Sequence, residues 1–265
     1  MHAFRIVVSI ALAVCSQSTL AATCSVEDYD LKVSGASQCL LMRRFGSTDP
    51  HLMIVWLHGD VSTGGPANYH FSSAEQTASQ LAAMKVLSVA LVRPGYPDGS
   101  GDSSSVALLQ SGRADHYTRE NIAEVGTAIE RLRARFQPKR VVVVGHSGGA
   151  ATAAILLGMK PKLIDAAVLV ACPCDLAAWR AGRREWTRSE NPIKWVDQVD
   201  TAARVVALTG AKDDNTPPQL ARTYIEALRE RGVDAAFELL ADETHNGAIR
   251  SPAVLGAVRK LLALR

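Results

Sequence analysis

Short apolar runs recur along this chain at intervals that leave room for a helix between most neighbours. Segments 52–57 (LMIVWL), 86–92, 140–144 (RVVVV), 166–171, 204–208 and 235–240 each read as a strand, most of them apolar on both faces. A strand with no polar face is covered on both sides, the condition of a parallel sheet between two helical layers. An earlier run, 39–44, reads as an antiparallel strand near an edge. Segments 73–84, 117–136, 148–159, 218–231 and 251–264 have helical character. In the longest, Ile122, Val125, Ile129, Leu132 and Phe136 keep the 3.6-residue repeat until Pro138 closes it. Alternating units of this kind predict an α/β fold with a mostly parallel sheet and helices on both faces. In such sheets chemistry gathers at the carboxyl ends of the strands.

A chain of 265 residues, 48% hydrophobic and 21% charged, fits one large α/β domain or at most two small ones. The formal net charge of +3, without a run of five like charges, gives no long-range field for nucleic acid or anionic lipid. No nucleic-acid partner is expected.

Residues 1–22 read as a cleaved signal peptide. His2 and Arg5 make a basic start, 6–14 is an apolar run too short for an anchor, and small residues near Ala21 and Ala22 offer a cleavage site. Cys15 follows Val14, not the small residue that precedes a lipidated cysteine. The expectation is a periplasmic or secreted protein. Its mature part, 23–265, is a single domain with no integral membrane span. Four cysteines remain there, and they allow three pairings. Local pairing is the simplest, with Cys24–Cys39 stapling the new N-terminal segment to the sheet edge. Cys172 and Cys174 read equally as a bridge or as two thiols beside a buried strand, because a one-residue spacer strains a disulfide.

Segment 175–199 breaks the strand–helix rhythm. It holds Trp179, Trp186 and Trp195 and a basic set, Arg180, Arg183, Arg184 and Arg188. It reads as a lid-like excursion or pocket wall over the strand ends, with the arginines on a solvated face.

The chemistry centres on Gly145-His146-Ser147-Gly148-Gly149, which directly follows RVVVV and opens a helix of small residues. A sharp strand–turn–helix lifts a serine hydroxyl clear of the sheet and aims a helix N-terminus at it. A serine needs a base. Of seven histidines, His2 lies in the signal, His146 in the motif and His58 in a turn after an earlier strand. His51, His70 and His116 have no motif around them and read as surface or structural. His245 follows the last strand, on the elbow's edge of the sheet, and is assigned as general base and acid. Asp213 or Asp214, after the strand at 204–208, supplies the carboxylate that orients it, with Asp175 an outside candidate. The order Ser147, Asp, His245 is the order of this architecture.

With these motifs the sequence resembles the α/β-hydrolases, from His58-Gly59 to His245. The resemblance implies an eight-stranded, mostly parallel sheet over nearly all of the mature chain. Gly210-x-x-Asp213-x-x-x-Pro217 is similar to the family's acid loop, which favours Asp213. His58-Gly59-Asp60 resembles its oxyanion turn, implying backbone N–H donors at Asp60 and Gly148. Asp60 departs from the pattern, since its carboxylate must point away from the charge its N–H helps to hold. Arg93-Pro94-Gly95-Tyr96, with Gly101 and Ser103, resembles a loop framing the site. Tyr96, Trp179 and Trp186 are expected to meet substrate. Asn191-Pro192, Val196-Asp197 and the stretch from Tyr224 to Gly232 are similar to the prolyl oligopeptidase and dienelactone hydrolase branches. The propeller of many oligopeptidases cannot fit before residue 50, which leaves a stand-alone hydrolase domain. The implied activity is hydrolysis of a small carboxylic ester through an acyl-enzyme on Ser147, without metal or organic cofactor. A small peptide is the alternative substrate, acyl transfer to an alcohol would use the same residues, and a non-catalytic binding protein on this scaffold is the contrasting reading. Dehalogenase or epoxide hydrolase chemistry would need Asp where Ser147 stands.

Overall fold

A computed structural model describes residues 24–25, 27–62, 64–100, 104 and 117–262. The segment read as a signal, together with Gly101, Ser103 and His116, lies outside them. Among the described residues eight strands form one sheet: β1 (Lys32–Ser34), β2 (Cys39–Gly46), β3 (Leu52–Leu57), β4 (Val86–Leu91), β5 (Arg140–His146), β6 (Ala166–Val170), β7 (Arg204–Gly210) and β8 (Asp234–Leu240). Their spatial order is β1-β2-β4-β3-β5-β6-β7-β8. β1 and β2 are antiparallel, β2 meets β4 antiparallel, and every pairing from β4 to β8 is parallel.

The period of two along each strand splits the core into two layers. Met53, Val55, Leu57, Val141 and Val143 face one side. There they pack against α2 (Arg119–Phe136), α3 (Gly148–Met159) and α5 (Pro218–Glu230) through residues such as Ile129, Ile155 and Tyr224. Leu52, Ile54, Trp56, Val142 and Val144 face the other side, against α1 (His70–Gln80) and α7 (Pro252–Leu262). Every residue of β3 and β4 is buried, which is why those runs carry no polar alternation.

The differences from the sequence reading have local causes. β1 is three residues long, too short for a periodic signal. β5 and β7 run two residues further than their apolar cores, carrying His146 and Gly210 to the strand ends. The helix expected at 73–84 begins at His70 and gives way to a 3₁₀ turn at Ala82–Met84. α2 starts after Thr118, whose side chain caps the Asn121 N–H. The loop expected at His245 opens as a short helix, α6 (His245–Ala248), because Thr244 Oγ1 accepts the Gly247 N–H. Excursion 175–199 comprises α4 (Leu176–Trp179), capped by the Asp175 carboxylate, and a 3₁₀ segment at Pro192–Gln198. Among the described residues no helix is long and apolar enough to cross a membrane.

Both local cysteine pairs are bridged, Cys24–Cys39 at the start of β2 and Cys172–Cys174 just beyond β6. The β1–β2 turn is also anchored to α2. The buried Glu124 carboxylate accepts the Ser37 N–H at 3.0 Å, the Ser37 hydroxyl at 2.6 Å and the Gln38 N–H at 3.0 Å. Removing the carboxylate strands three donors in a partly buried turn. Glu124→Ala is therefore expected to lower the unfolding free energy by about 2–4 kcal/mol in urea titration, and a loss below about 0.5 kcal/mol would contradict this anchor.

Candidate active site

β5 runs straight into the turn at Ser147. The serine sits at φ 50°, ψ −116°, a conformation that a side chain makes costly. Tight packing imposes it. A Cβ at Gly145 would lie 2.4 Å from the Gly149 carbonyl oxygen, and one at Gly149 would lie 2.2 Å from that of Leu57. The two glycines let α3 begin directly against β3 and β5, with Ser147 at its N-terminus, where the helix dipole favours negative charge.

Ser147 and His245 open onto one cavity of about 360 Å³, lined also by Gly59, Asp60, Tyr69, Trp179, Trp186 and Asn215. The structure brings Asp213, not the exposed Asp214, to His245. His245 Nδ1 lies 2.9 Å from Asp213 Oδ2 and 3.1 Å from Oδ1. A carboxylate accepts, so the proton sits on Nδ1, and Nε2 keeps its lone pair toward the cavity. In this structure Asn215 Nδ2 faces that nitrogen at 3.3 Å. Asp213 is itself held by the Thr216 N–H at 2.8 Å, the Thr216 hydroxyl at 2.8 Å and the Asn215 N–H at 3.0 Å. Burial works to raise the Asp213 pKa, but the hydrogen bonds from His245 and Thr216 outweigh it and hold the carboxyl below its usual value. Asp175 is occupied with capping α4 and accepting from Asn191.

Asp60 closes the turn after β3. Its carboxylate is drawn to a cluster behind the cavity, where Oδ1 accepts from Arg93 at 2.9 Å and Tyr96 at 3.1 Å, and Oδ2 accepts from Tyr117 at 2.7 Å. Burial works to lower the Arg93 pKa, but the neighbouring Asp60 charge prevails and holds the guanidinium firmly protonated. The departure at this position is thus compensated by an ion pair and two phenols. Tyr96, expected to meet substrate, is instead 1% exposed and lies outside the cavity lining, because its hydroxyl is committed to Asp60.

Trp179 and Trp186 form an edge-to-face pair 5.4 Å apart, and both line the cavity. The Trp179 indole donates to the Asn215 carbonyl, tying excursion 175–199 to the acid loop. Arg180 stacks over both indoles, so this member of the basic set packs against aromatic rings. Trp195 packs against α3 at Gly158 and donates to Glu190. His58 and His70 are buried, and His51 is exposed. His58 Nε2 accepts the Arg93 N–H, and desolvation pushes His70 down to about 3.

Sequence reasoning did not assign site roles to Tyr69, Tyr117, Asn215 or Thr216. The last two sit inside the acid-loop motif and could have been flagged there. The tyrosines carry no local signal, since Tyr117 meets a residue 57 positions away.

Two outcomes follow. Arg93→Met leaves the Asp60 carboxylate without its buried counter-charge and is expected to cost at least about 2 kcal/mol in denaturant unfolding; an unchanged midpoint would contradict the compensation. The Asp213 carboxyl titrates lower in the folded protein than in the unfolded chain. Its stabilisation is therefore present above the ordinary carboxylate range and lost as pH falls through the lowered value. The melting-temperature gap between wild type and Asp213→Asn should narrow from about pH 5 toward pH 3, and a gap that widens would refute the sign.

Residues 99–263 match the family model described as the prolyl oligopeptidase family. No curated protein matches in sequence. Among solved structures, the Pyrococcus furiosus esterase Pf2001 is similar at TM-score 0.66 and 13% identity, covering 88% of this chain and 90% of that one. Est1E from Butyrivibrio proteoclasticus, in a structure with ferulic acid bound, gives 0.68 and 12%, over 88% and 100% of the two chains. A Pyrococcus horikoshii acylaminoacyl peptidase gives 0.64 and 15%, with 88% of this chain aligned to 41% of that one. These likenesses place the sheet and its helices in the α/β-hydrolase fold. With more than half of its length matched, the chain belongs to the prolyl oligopeptidase family of hydrolases.

Proposed function

We propose that this protein is a serine hydrolase that cleaves small carboxylic esters through an acyl-enzyme. The observation that carries this reading is the strained Ser147 opening onto the same cavity as the Asp213-held His245. In this mechanism Ser147 Oγ attacks the ester carbonyl while His245 Nε2 takes its proton. Asp213 stabilises the resulting imidazolium, and the N–H groups of Asp60 and Gly148 hold the oxyanion. His245 then protonates the leaving alkoxide, and water attacks the acyl-enzyme by the reverse sequence of proton transfers. Trp179 and Trp186 form an apolar wall for the acyl or alcohol group.

Ester is preferred to peptide on the chemistry of the wall. A peptidase that trims from an N-terminus must hold an ammonium group. Among the described residues, the carboxylate in the cavity lining belongs to Asp60 and is already engaged by Arg93, Tyr96 and Tyr117. The family match keeps a small-peptide substrate as the second reading. Residues 1–22 are proposed to direct secretion or periplasmic export, in keeping with two disulfides that need an oxidising compartment.

The test pairs p-nitrophenyl esters of increasing acyl length with aminoacyl and dipeptidyl p-nitroanilides. Ser147→Ala is expected to abolish turnover with little change in melting temperature. Asp213→Asn should lower kcat by about 10⁴, as loss of the orienting carboxylate does in other triads, while Asp214→Asn stays near wild type. Amide turnover rivalling ester turnover would move the assignment to a peptidase. Ester turnover surviving Ser147→Ala would end the acyl-enzyme reading, and a folded protein in which Ser147 reacts with nothing would favour a binding role.

A further inference from the structure

We infer that His146 is a positioning residue that, through Tyr69, locks the oxyanion turn to the backbone of His245; the inference rests on the acyl-enzyme reading. His146 fills the variable position of the Gly-x-Ser-x-Gly turn and is 4% exposed. Both ring nitrogens have partners. Nε2 lies 3.0 Å from the His245 carbonyl oxygen, and Nδ1 lies 2.7 Å from the Tyr69 hydroxyl. The Tyr69 oxygen in turn accepts the Gly59 N–H at 2.5 Å.

These contacts have one self-consistent proton arrangement. A carbonyl only accepts, so the His146 proton is on Nε2. Nδ1 is then an acceptor and takes the Tyr69 hydroxyl proton, which leaves the phenol oxygen free to receive Gly59 N–H. The order runs from Gly59 N–H to Tyr69, from Tyr69 O–H to His146 Nδ1, and from His146 Nε2–H to the His245 carbonyl. Titration does not disturb it near neutrality. Desolvation, aided by the nearby His245, pushes His146 down to about 4, and desolvation pushes Tyr69 up to about 12.

The chain spans the three segments that must agree in the transition state. Gly59 and Asp60 form the turn after β3, His146 precedes the nucleophile, and His245 opens α6. Because Gly59 N–H is committed to Tyr69, the turn is held in one orientation, and the Asp60 peptide that follows is set with it. At the far end the bond to the His245 carbonyl fixes the backbone from which the base projects, while Asp213 fixes its ring. The two imidazoles lie 5.0 Å apart at 44°, so the His146 ring also backs the base. One hydrogen-bonded chain thereby sets both the oxyanion donor and the base, without itself touching the reacting atoms.

The experiment measures kcat and KM on p-nitrophenyl butyrate for Tyr69→Phe, His146→Gln and the double variant of the full chain. Melting temperatures and stoichiometric labelling of Ser147 by a fluorophosphonate accompany the rates. Each single change is expected to lower kcat about tenfold or more with KM within about twofold, and the double variant should be no worse than the poorer single. Tyr69→Phe keeps the ring and carries the test if His146→Gln does not fold. Nitrogen-15 spectra of wild type at neutral pH should show His146 as the Nε2–H tautomer. Losses that multiply in the double variant, losses confined to KM, or an Nδ1–H tautomer would overturn the relay. Labelled Ser147 with unchanged kcat in Tyr69→Phe would overturn the relay alone. Full turnover in Ser147→Ala would instead remove the acyl-enzyme reading beneath it.

Discussion

The backbone conformation of Ser147 is the constraint on which the rest of the site depends. A non-glycine residue at φ 50° persists only where its surroundings over-determine it. Here the surroundings are β5 on one side and α3 on the other, brought close because Gly145 and Gly149 present no side chains to the facing carbonyls. The Ser147 N–H is held by the Val170 carbonyl at the end of β6, so the neighbouring strand also fixes the turn. Hydrophobic burial of α3, almost entirely small and apolar, is what keeps the helix pressed against the sheet. The strain is local, and its support is spread through one face of the core.

Around that fixed point the parallel sheet does the positioning. The Asp213 loop leaves β7, and His245 follows β8, so both arrive at the edge where β5 ends. Thr216 gives its N–H to the Asp213 carboxylate, and its hydroxyl, 2.8 Å from that carboxylate and 3.1 Å from the Ala171 carbonyl beyond β6, shares its one proton between the acid and the sheet. Ala171 has φ 50° and is followed directly by the Cys172–Cys174 bridge, so covalent closure stiffens the segment that the acid loop rests on. Trp179 adds a third attachment through Asn215.

The sheet and the residues gathered at the cavity were legible because each leaves a local mark. Two-sided apolar runs mark buried strands, and Gly-x-Ser-x-Gly after RVVVV marks the elbow. The Gly210 to Pro217 stretch resembles the hydrolase acid loop, and that likeness favours Asp213 over Asp214. What was not legible is whatever depends on chain segments meeting at a distance. Tyr69 and His146 are 77 positions apart, and Arg93 and Asp60 are 33 apart. Nothing in either neighbourhood announces the partner. Tyr96 shows the same effect in reverse, since a tyrosine beside a site loop reads as a substrate contact until the Asp60 carboxylate that claims its hydroxyl is seen. The edge strand β1 is too short to have a period.

The Asp60 cluster has a consequence for how this sequence can change. Arg93, Tyr96 and Tyr117 are bound to the identity of residue 60 by charge and hydrogen bonding. Losing the arginine first leaves an uncompensated carboxylate at the turn after β3, and losing the aspartate first buries a lone guanidinium. Either single step leaves a charge without its counter-charge, a penalty that the paired exchange for neutral residues avoids. Positions 60 and 93 are therefore expected to covary among descendants of this chain, surviving together or disappearing together, with the two tyrosines released to drift only after the ion pair has gone.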